Sequence, residues 1–228
     1  MKIFASILLV VMALLSPFQA FAARSEKNLI ANPAFQNLDT AGFPKNWFGG
    51  SFGENSAIFS RAVCTYYTDE DILNNGANVT NYYDTVYRPG CPPNTNFRLE
   101  VRMGNYKSGD AKLYFADIPI NGNKFFDLSF QYQPYSWHAQ ATARYLMKDG
   151  SYQYILIANM PQLENRAMGY ASWSAASYHI DPPKKAVAMT VFFSVKGDST
   201  GGCPITIICK GPDNGTLSIA NVVLKQDK

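Results

Sequence analysis

Phe97-Arg98-Leu99-Glu100-Val101-Arg102-Met103 alternates apolar and charged side chains without a break. Successive residues of a β-strand point to opposite faces, so a period of two predicts a strand with one face in a core and the charged face in water. The same reading extends to Phe126, Leu128, Phe130 and Tyr132 against Asp127, Ser129 and Gln131. It extends again to Val187, Met189, Val191, Phe193 and Val195 against smaller residues, and to a closing strand over residues 217–224. Between residues 139–147 and 152–158, Lys148-Asp149-Gly150-Ser151 is a hairpin signal.

One stretch reads as helical: Thr68 caps Asp69-Glu70-Asp71, whose charges suit a helix N-terminus, and Gly76 ends it after two turns at most. About ten short strands punctuated by Gly, Pro, Asn and Asp predict an all-β fold, a two-sheet antiparallel β-sandwich. No internal repeat and no Pro/Ser-rich linker divides the chain. Residues 23–228 are therefore expected to form a single domain, with residues 64–95 and 198–213 as insertions.

Among 228 residues, 16% are charged against a usual share of about 25%, and 14% are aromatic. So much apolar surface excludes a disordered chain. A net charge of +3 leaves no basic footprint for nucleic acid.

Lys2, an apolar run from Ile3 to Leu15 broken only by Ser6, and Ala20-Phe21-Ala22 read as a signal peptide over residues 1–22. The run is too short to cross about 30 Å of hydrocarbon as a helix. The residue directly after the cleavage site is Ala23, not the cysteine that lipid attachment there would need, and no later apolar run is long enough to span. The mature chain is thus expected to be secreted or extracytoplasmic, in a periplasm or outside the cell, without membrane insertion.

Cys64, Cys91, Cys203 and Cys209 all lie in the mature part, and an even count in an exported chain favours two disulfides. Of three connectivities, Cys64–Cys91 with Cys203–Cys209 closes two local excursions rich in turn residues. Zinc is the competing reading, but no Cys-x2-Cys spacing exists and only His138 and His179 could help.

Asn28-Leu29-Ile30-Ala31-Asn32-Pro33-Ala34-Phe35, followed by Gly42-Phe43-Pro44-Lys45-Asn46-Trp47, resembles the N-terminal strand and Pro-x-x-Trp turn of carbohydrate-binding modules of the CenC type. Residues 215–224, Gly-Thr-Leu-Ser-Ile-Ala-Asn-Val-Val-Leu, are similar to their closing strand, usually G-T-L-x-I-D-N-V-x-L. Residues 108–115 and 143–154 are similar to versions of this domain on bacterial surface and polysaccharide-processing proteins. The resemblance covers about residues 28–226 and implies a galactose-binding-like jelly roll that binds a glycan. Such domains often hold a structural calcium through a Glu after the N-x-x-F element and the Asp of I-D-N-V. Here those positions are Gln36 and Ala220, an amide and a methyl group, so no metal and no other cofactor is expected, the alternative being an ion held by backbone carbonyls with Asn32 or Asn221.

A sugar presents C–H faces and hydroxyl edges, so its site needs flat aromatic platforms and directed donors and acceptors. If Phe126, Leu128, Phe130 and Tyr132 are buried, Ser129, Gln131 and Gln133 are outside, and a neighbouring strand exposes Gln140, Thr142 and Arg144. A groove is expected there, with Trp137, Tyr135, Tyr152 and Tyr154 as platforms and Arg144, Gln131 and Gln153 reading hydroxyls. The phase of Tyr152-Gln153-Tyr154-Ile155 is ambiguous, since either pair could face the core. Trp47, after its Pro turn, reads as packing, and alternation does not decide the side of Trp173. Tyr66, Tyr67, Tyr82, Tyr83 and Tyr87 in the first insertion could wall the groove, dock on a partner, or simply pack the loop.

Catalysis is not expected. His138 and His179 stand in no nucleophile motif, and Glu100, Asp117, Asp127 and Glu164 form no carboxyl pair that spacing alone identifies. No phosphate loop, dinucleotide fingerprint or H-E-x-x-H motif is present. The expectation is a secreted, non-catalytic carbohydrate-binding protein with a polysaccharide or cell-surface glycan as partner. A structural or adhesive surface protein, self-associating through the Tyr-rich insertion, is the alternative, and a small jelly-roll lyase or hydrolase the third reading.

Overall fold

The computed structural model describes residues 27–64, 91–92, 95–134, 138–160, 173–196 and 215–227. The signal peptide, the helix over Thr68–Gly76, the Cys203–Cys209 bridge, and Tyr135 and Trp137 lie outside these residues. Among the described residues there are eleven strands and no helix. They are β1 (Trp47–Phe52), β2 (Ser56–Val63), β3 (Phe97–Gly104), β4 (Asp110–Phe115), β5 (Ile118–Pro119) and β6 (Phe126–Pro134), then β7 (His138–Met147), β8 (Tyr152–Asn159), β9 (Ser174–Ile180), β10 (Ala186–Lys196) and β11 (Gly215–Gln226). One sheet runs β1-β4-β10-β7-β8, with β5 paired to β10, and the other runs β2-β3-β11-β6-β9. Every pairing is antiparallel. This is the two-sheet sandwich that the alternation and the resemblance imply.

The core follows from that alternation. Leu99, Val101 and Met103 of β3, Leu128 and Phe130 of β6, and Leu217 and Ile219 of β11 face Leu113 and Phe115 of β4 and Met189, Val191 and Phe193 of β10. Phe130 meets Phe193 edge to face across the sheets, with centroids 5.0 Å apart. Trp47 is buried edge to face against Phe35 at 5.0 Å and Phe115 at 5.6 Å, and its indole N–H donates to the Asn32 carbonyl at 3.2 Å. It packs, as the Pro turn suggests. The β7–β8 hairpin turns at Gly150, whose φ of 84° suits glycine, while the Asp149 carboxylate accepts from the Ser151 backbone N–H at 3.0 Å.

Cys64 and Cys91 are bonded, with Cα atoms 5.3 Å apart, so the bridge ties the end of β2 to the approach to β3. Three expectations need correction. Residues 28–35 are not a strand: Asn32 and Phe35 have positive φ, and Leu29 makes a backbone bond to Leu224 without a continuing ladder. Val187 is exposed and Ala186 is buried in its place, because the β10–β7 register shifts between Ala186 and Ala188.

The third concerns the charged face of β3, where Arg98 and Glu100 are buried while Arg102 reaches water. Arg98 is 6% exposed and Glu100 4%. The Glu100 carboxylate pairs with Arg98 at 3.4 Å, accepts from Arg102 Nε, and accepts from Ser218 Oγ at 3.2 Å. Buried charge survives only when paired and hydrogen-bonded, and these partners supply that compensation.

Candidate functional site

The outer face of the first sheet is fixed by register. Phe48 of β1 stands opposite Tyr114 of β4, Tyr114 opposite Phe192 of β10, Phe192 opposite Thr142 of β7, and Thr142 opposite Leu156 of β8. These five residues form one row crossing five strands. One level away runs Gly50, Lys112, Ser194, Gln140 and Asn159, a polar row. On the other side Thr190, Arg144 and Tyr154 are in register.

The rings of the first row touch. Phe48 and Tyr114 stack at 5.5 Å, Tyr114 meets Phe192 edge to face at 5.1 Å, and Tyr154 stacks against Phe192 at 6.4 Å. Phe192 is the floor, 8% exposed, while Phe48, Leu156 and Tyr154 around it are 46–59% exposed. Two cations lean over this floor, the Arg144 guanidinium 5.2 Å and Lys112 Nζ 5.4 Å from the ring centroid. Arg144 also lies 5.0 Å from the Tyr152 ring, and Lys112 4.6 Å from that of Phe52. Such contacts hold a cation's stem against an apolar surface while its N–H groups stay available.

Each cation has a carboxylate beside it. Arg144 Nη2 donates to Asp117 Oδ1 at 2.8 Å, and Lys112 Nζ lies 3.2 Å from Asp110 Oδ2. Burial acts to lower the Arg144 pKa, but the hydrogen bond and charge of Asp117, with Tyr152 and Tyr154, more than offset it. The guanidinium is held above its ordinary value. In the polar row Gln140 Nε2 donates to Asn159 Oδ1 at 3.0 Å. The face thus joins flat apolar area to paired donors and acceptors.

Of the residues singled out from sequence, Arg144, Tyr152 and Tyr154 come together here. Gln153 does not join them: it stands opposite Tyr145, whose ring is buried in the core, so the pleat turns it to the opposite side of β8 from Tyr154. The phase of β8 is thereby resolved. Gln131 is on the other sheet, because β6 and β7 follow one another in sequence but never pair. Its Oε1 accepts from Asn221 Nδ2 at 2.6 Å. Trp173 is partly buried, ahead of β9, with its indole N–H enclosed and unpartnered. Phe48, Phe52, Lys112, Tyr114 and Phe192 were missed. Their signal is an aromatic or a cation on the outward phase of a strand whose other phase is plainly core, as in Val191-Phe192-Phe193.

The residues that would stand in for a calcium site do not fit one. Gln36 is exposed and Ala220, fully buried, offers no side-chain oxygen. The Asn32 amide nitrogen bridges the carbonyls of Asn37 at 2.8 Å and Lys45 at 3.1 Å, and its oxygen accepts from the Asn37 N–H. Asn221 turns its amide nitrogen to Thr95 Oγ1 and Gln131 Oε1. Neither Gln36 nor Ala220 supplies the anionic oxygen that a hard cation binds best. Among the described residues no three His, Cys, Asp or Glu side chains gather.

No family model matches the chain, and no curated protein matches it in sequence. Solved structures resemble it in fold. The enzymatically active domain of bacteriophage CBA120 tailspike protein 4 aligns over 88% of this chain and 21% of its own, with a TM-score of 0.52 at 14% identity. This chain therefore spans about a fifth of that tailspike structure, and at such identity the likeness shows the fold alone. A family 11 carbohydrate-binding module of a Clostridium thermocellum cellulosomal cellulase aligns over 89% and 95%, with a TM-score of 0.42 at 12% identity. The CBM22-1 xylan-binding domain of Paenibacillus barcinonensis Xyn10C aligns over 91% and 99%, with a TM-score of 0.47 at 8% identity.

Proposed function

We propose that the protein is a secreted, non-catalytic carbohydrate-binding protein that holds a glycan on the outer face of its first sheet. The observation that carries this reading is the aromatic row from Phe48 through Tyr114 to Phe192, with Arg144 and Lys112 lying over its floor. Apolar sugar faces would stack on Tyr114, Tyr154 and Phe48, and hydroxyls would bond to Arg144, Lys112, Gln140 and Asn159. Tyr152 would hold the Arg144 guanidinium from its far side. Export is supported by the signal-like residues 1–22 and by the Cys64–Cys91 bridge, since disulfides persist in oxidising compartments. Affinity would be modest, because each stacked ring contributes about 1 kcal/mol and the hydrogen bonds compete with water.

The test is retention of residues 23–228 on cellulose, xylan, β-glucan, galactan, chitin and peptidoglycan, followed by titration of the retained ligand. Arg144→Ala and Tyr154→Ala are each expected to weaken binding about five- to tenfold, the loss of roughly one stacked or charge-assisted contact. Binding by both variants at wild-type strength would sink this assignment.

A further inference from the structure

We propose that the protein pairs with a second copy of itself through β8, edge to edge, so that the first sheets of two molecules run on as one. β8 ends the path β1-β4-β10-β7-β8, and no described strand lies beyond it. Its residues, Tyr152-Gln153-Tyr154-Ile155-Leu156-Ile157-Ala158-Asn159, include no charge, no glycine and no proline. Tyr152, Tyr154 and Leu156 are 51–59% exposed on one side, and Gln153 and Ile155 are exposed on the other. A long apolar edge is a template for a further strand, and proteins ordinarily blunt it with charge or brevity. The other edges are blunted in this way. β1 has six residues, β2 turns Arg61 back to the Phe35 carbonyl at 3.3 Å, and β9 carries His179 paired with Asp127. The β7–β8 register shift lies beyond Leu156, so residues 152–156 form a regular edge.

The backbone makes that edge its own complement. The Met147 N–H donates to the Ser151 carbonyl at 2.8 Å, which makes these two a hydrogen-bonded pair. Bonded and non-bonded pairs alternate along an antiparallel ladder. Gln153 and Ile155 therefore bond to β7, while the N–H and C=O groups of Tyr152, Tyr154 and Leu156 point to the open edge. A two-fold axis at Tyr154 sets Tyr154 opposite its counterpart, Tyr152 opposite Leu156, and Gln153 opposite Ile155. Every outward donor then meets an acceptor, as an isologous interface requires. Charge does not oppose the pairing. Arg144, in register with Tyr154, stands one strand inward, so its two copies start three strand spacings apart, about 14 Å, and Asp117 neutralises each. The axis is perpendicular to the sheet, so the outer faces of both copies look to the same side.

Sedimentation equilibrium of residues 23–228 between about 1 and 500 µM reads the association. Five paired residues make a small interface, so a monomer–dimer Kd on the order of 10–100 µM is expected. Gln153→Lys with Ile155→Lys sets like charges opposite one another across the axis and should weaken dimerisation at least about tenfold. Gln153→Glu with Ile155→Lys sets opposite charges there and should keep Kd within about threefold of wild type. Both positions are exposed, and urea unfolding checks that each variant is folded. Hydrogen exchange at the Tyr152, Tyr154 and Leu156 amides should slow as the wild-type concentration rises. A monomer throughout the range overturns the proposal. A dimer that the double lysine variant leaves equally tight has its interface elsewhere and also overturns it. Edge amides protected equally at low and high concentration are covered within one chain, which overturns it as well.

Discussion

On the outer face of the first sheet Arg144 and Lys112 lie over the ring of Phe192, whereas on the outer face of the second Arg98 and Arg102 close on Glu100. Both sets of side chains occupy the outward phase of a strand. In the first, the rings hold the cations while each keeps N–H groups for a partner. In the second, the carboxylate is 4% exposed, and two arginines and Ser218 converge on it. Alternation decides which side of a sheet a residue takes, and the surroundings on that side decide whether it is a surface or an interior.

Removing the carboxylate is the strongest way to break this contrast. Glu100→Ala takes the shared carboxylate away from the buried Arg98 guanidinium and from Arg102, and is expected to cost about 3–5 kcal/mol of stability. Urea unfolding measures it. Glycan binding by the folded fraction at low temperature should be unchanged, since Glu100 is on the other sheet from the aromatic row. A loss below about 1 kcal/mol would mean that the network is effectively solvated, and the two faces would then differ in composition only.

β7 carries the same contrast within two adjacent residues, because Arg144 faces outward while Tyr145 is buried at 1% exposure. Burial, helped by the Asp181 charge, pushes the Tyr145 phenol up to about 12. The unfolded chain releases that proton near pH 10, so the native state has its full stability below pH 10 and loses it as pH rises toward 12. Over that window the loss approaches about 2–3 kcal/mol. Tyr145→Phe should flatten this part of the stability curve relative to wild type in thermal melts between pH 9 and 12. Parallel curves for the two proteins would show that the phenol is hydrated in the folded state.

The strands and the hairpin were legible because their signals are local. Phe97–Met103 and Phe126–Tyr132 alternate, and Gly150 marks the turn by the φ it must adopt. Strand order was not legible, because partner choice depends on the whole chain. β6 and β7 are consecutive yet sit in different sheets, which is why Gln131 and Arg144 read as neighbours and are not. The aromatic row was hidden for a related reason. Phe48, Tyr114 and Phe192 come from three strands far apart in sequence, and only the β1–β4–β10 register brings them to one level. Phe192 also follows Val191 and precedes Phe193, so its apolarity is lost in a run that looks uniformly like core.

The smallest expected effects sharpen the comparison most finely, because they separate residues that composition treats alike. Gln153 and Tyr154 are adjacent and both exposed, but the first shares the Tyr145 side of the pleat and the second the Arg144 side. Gln153→Ala should therefore leave glycan affinity unchanged and stability within about 0.5 kcal/mol, as for surface substitutions away from special features. Gln131→Ala should also leave affinity unchanged and lower stability by about 1 kcal/mol, the worth of the hydrogen bond from Asn221. Titration and urea unfolding of both variants check this. Should Gln153→Ala weaken binding as much as Tyr154→Ala, the edge strand β8 must twist enough to turn both of its sides to the ligand. The site would then wrap the sheet edge instead of lying on one face.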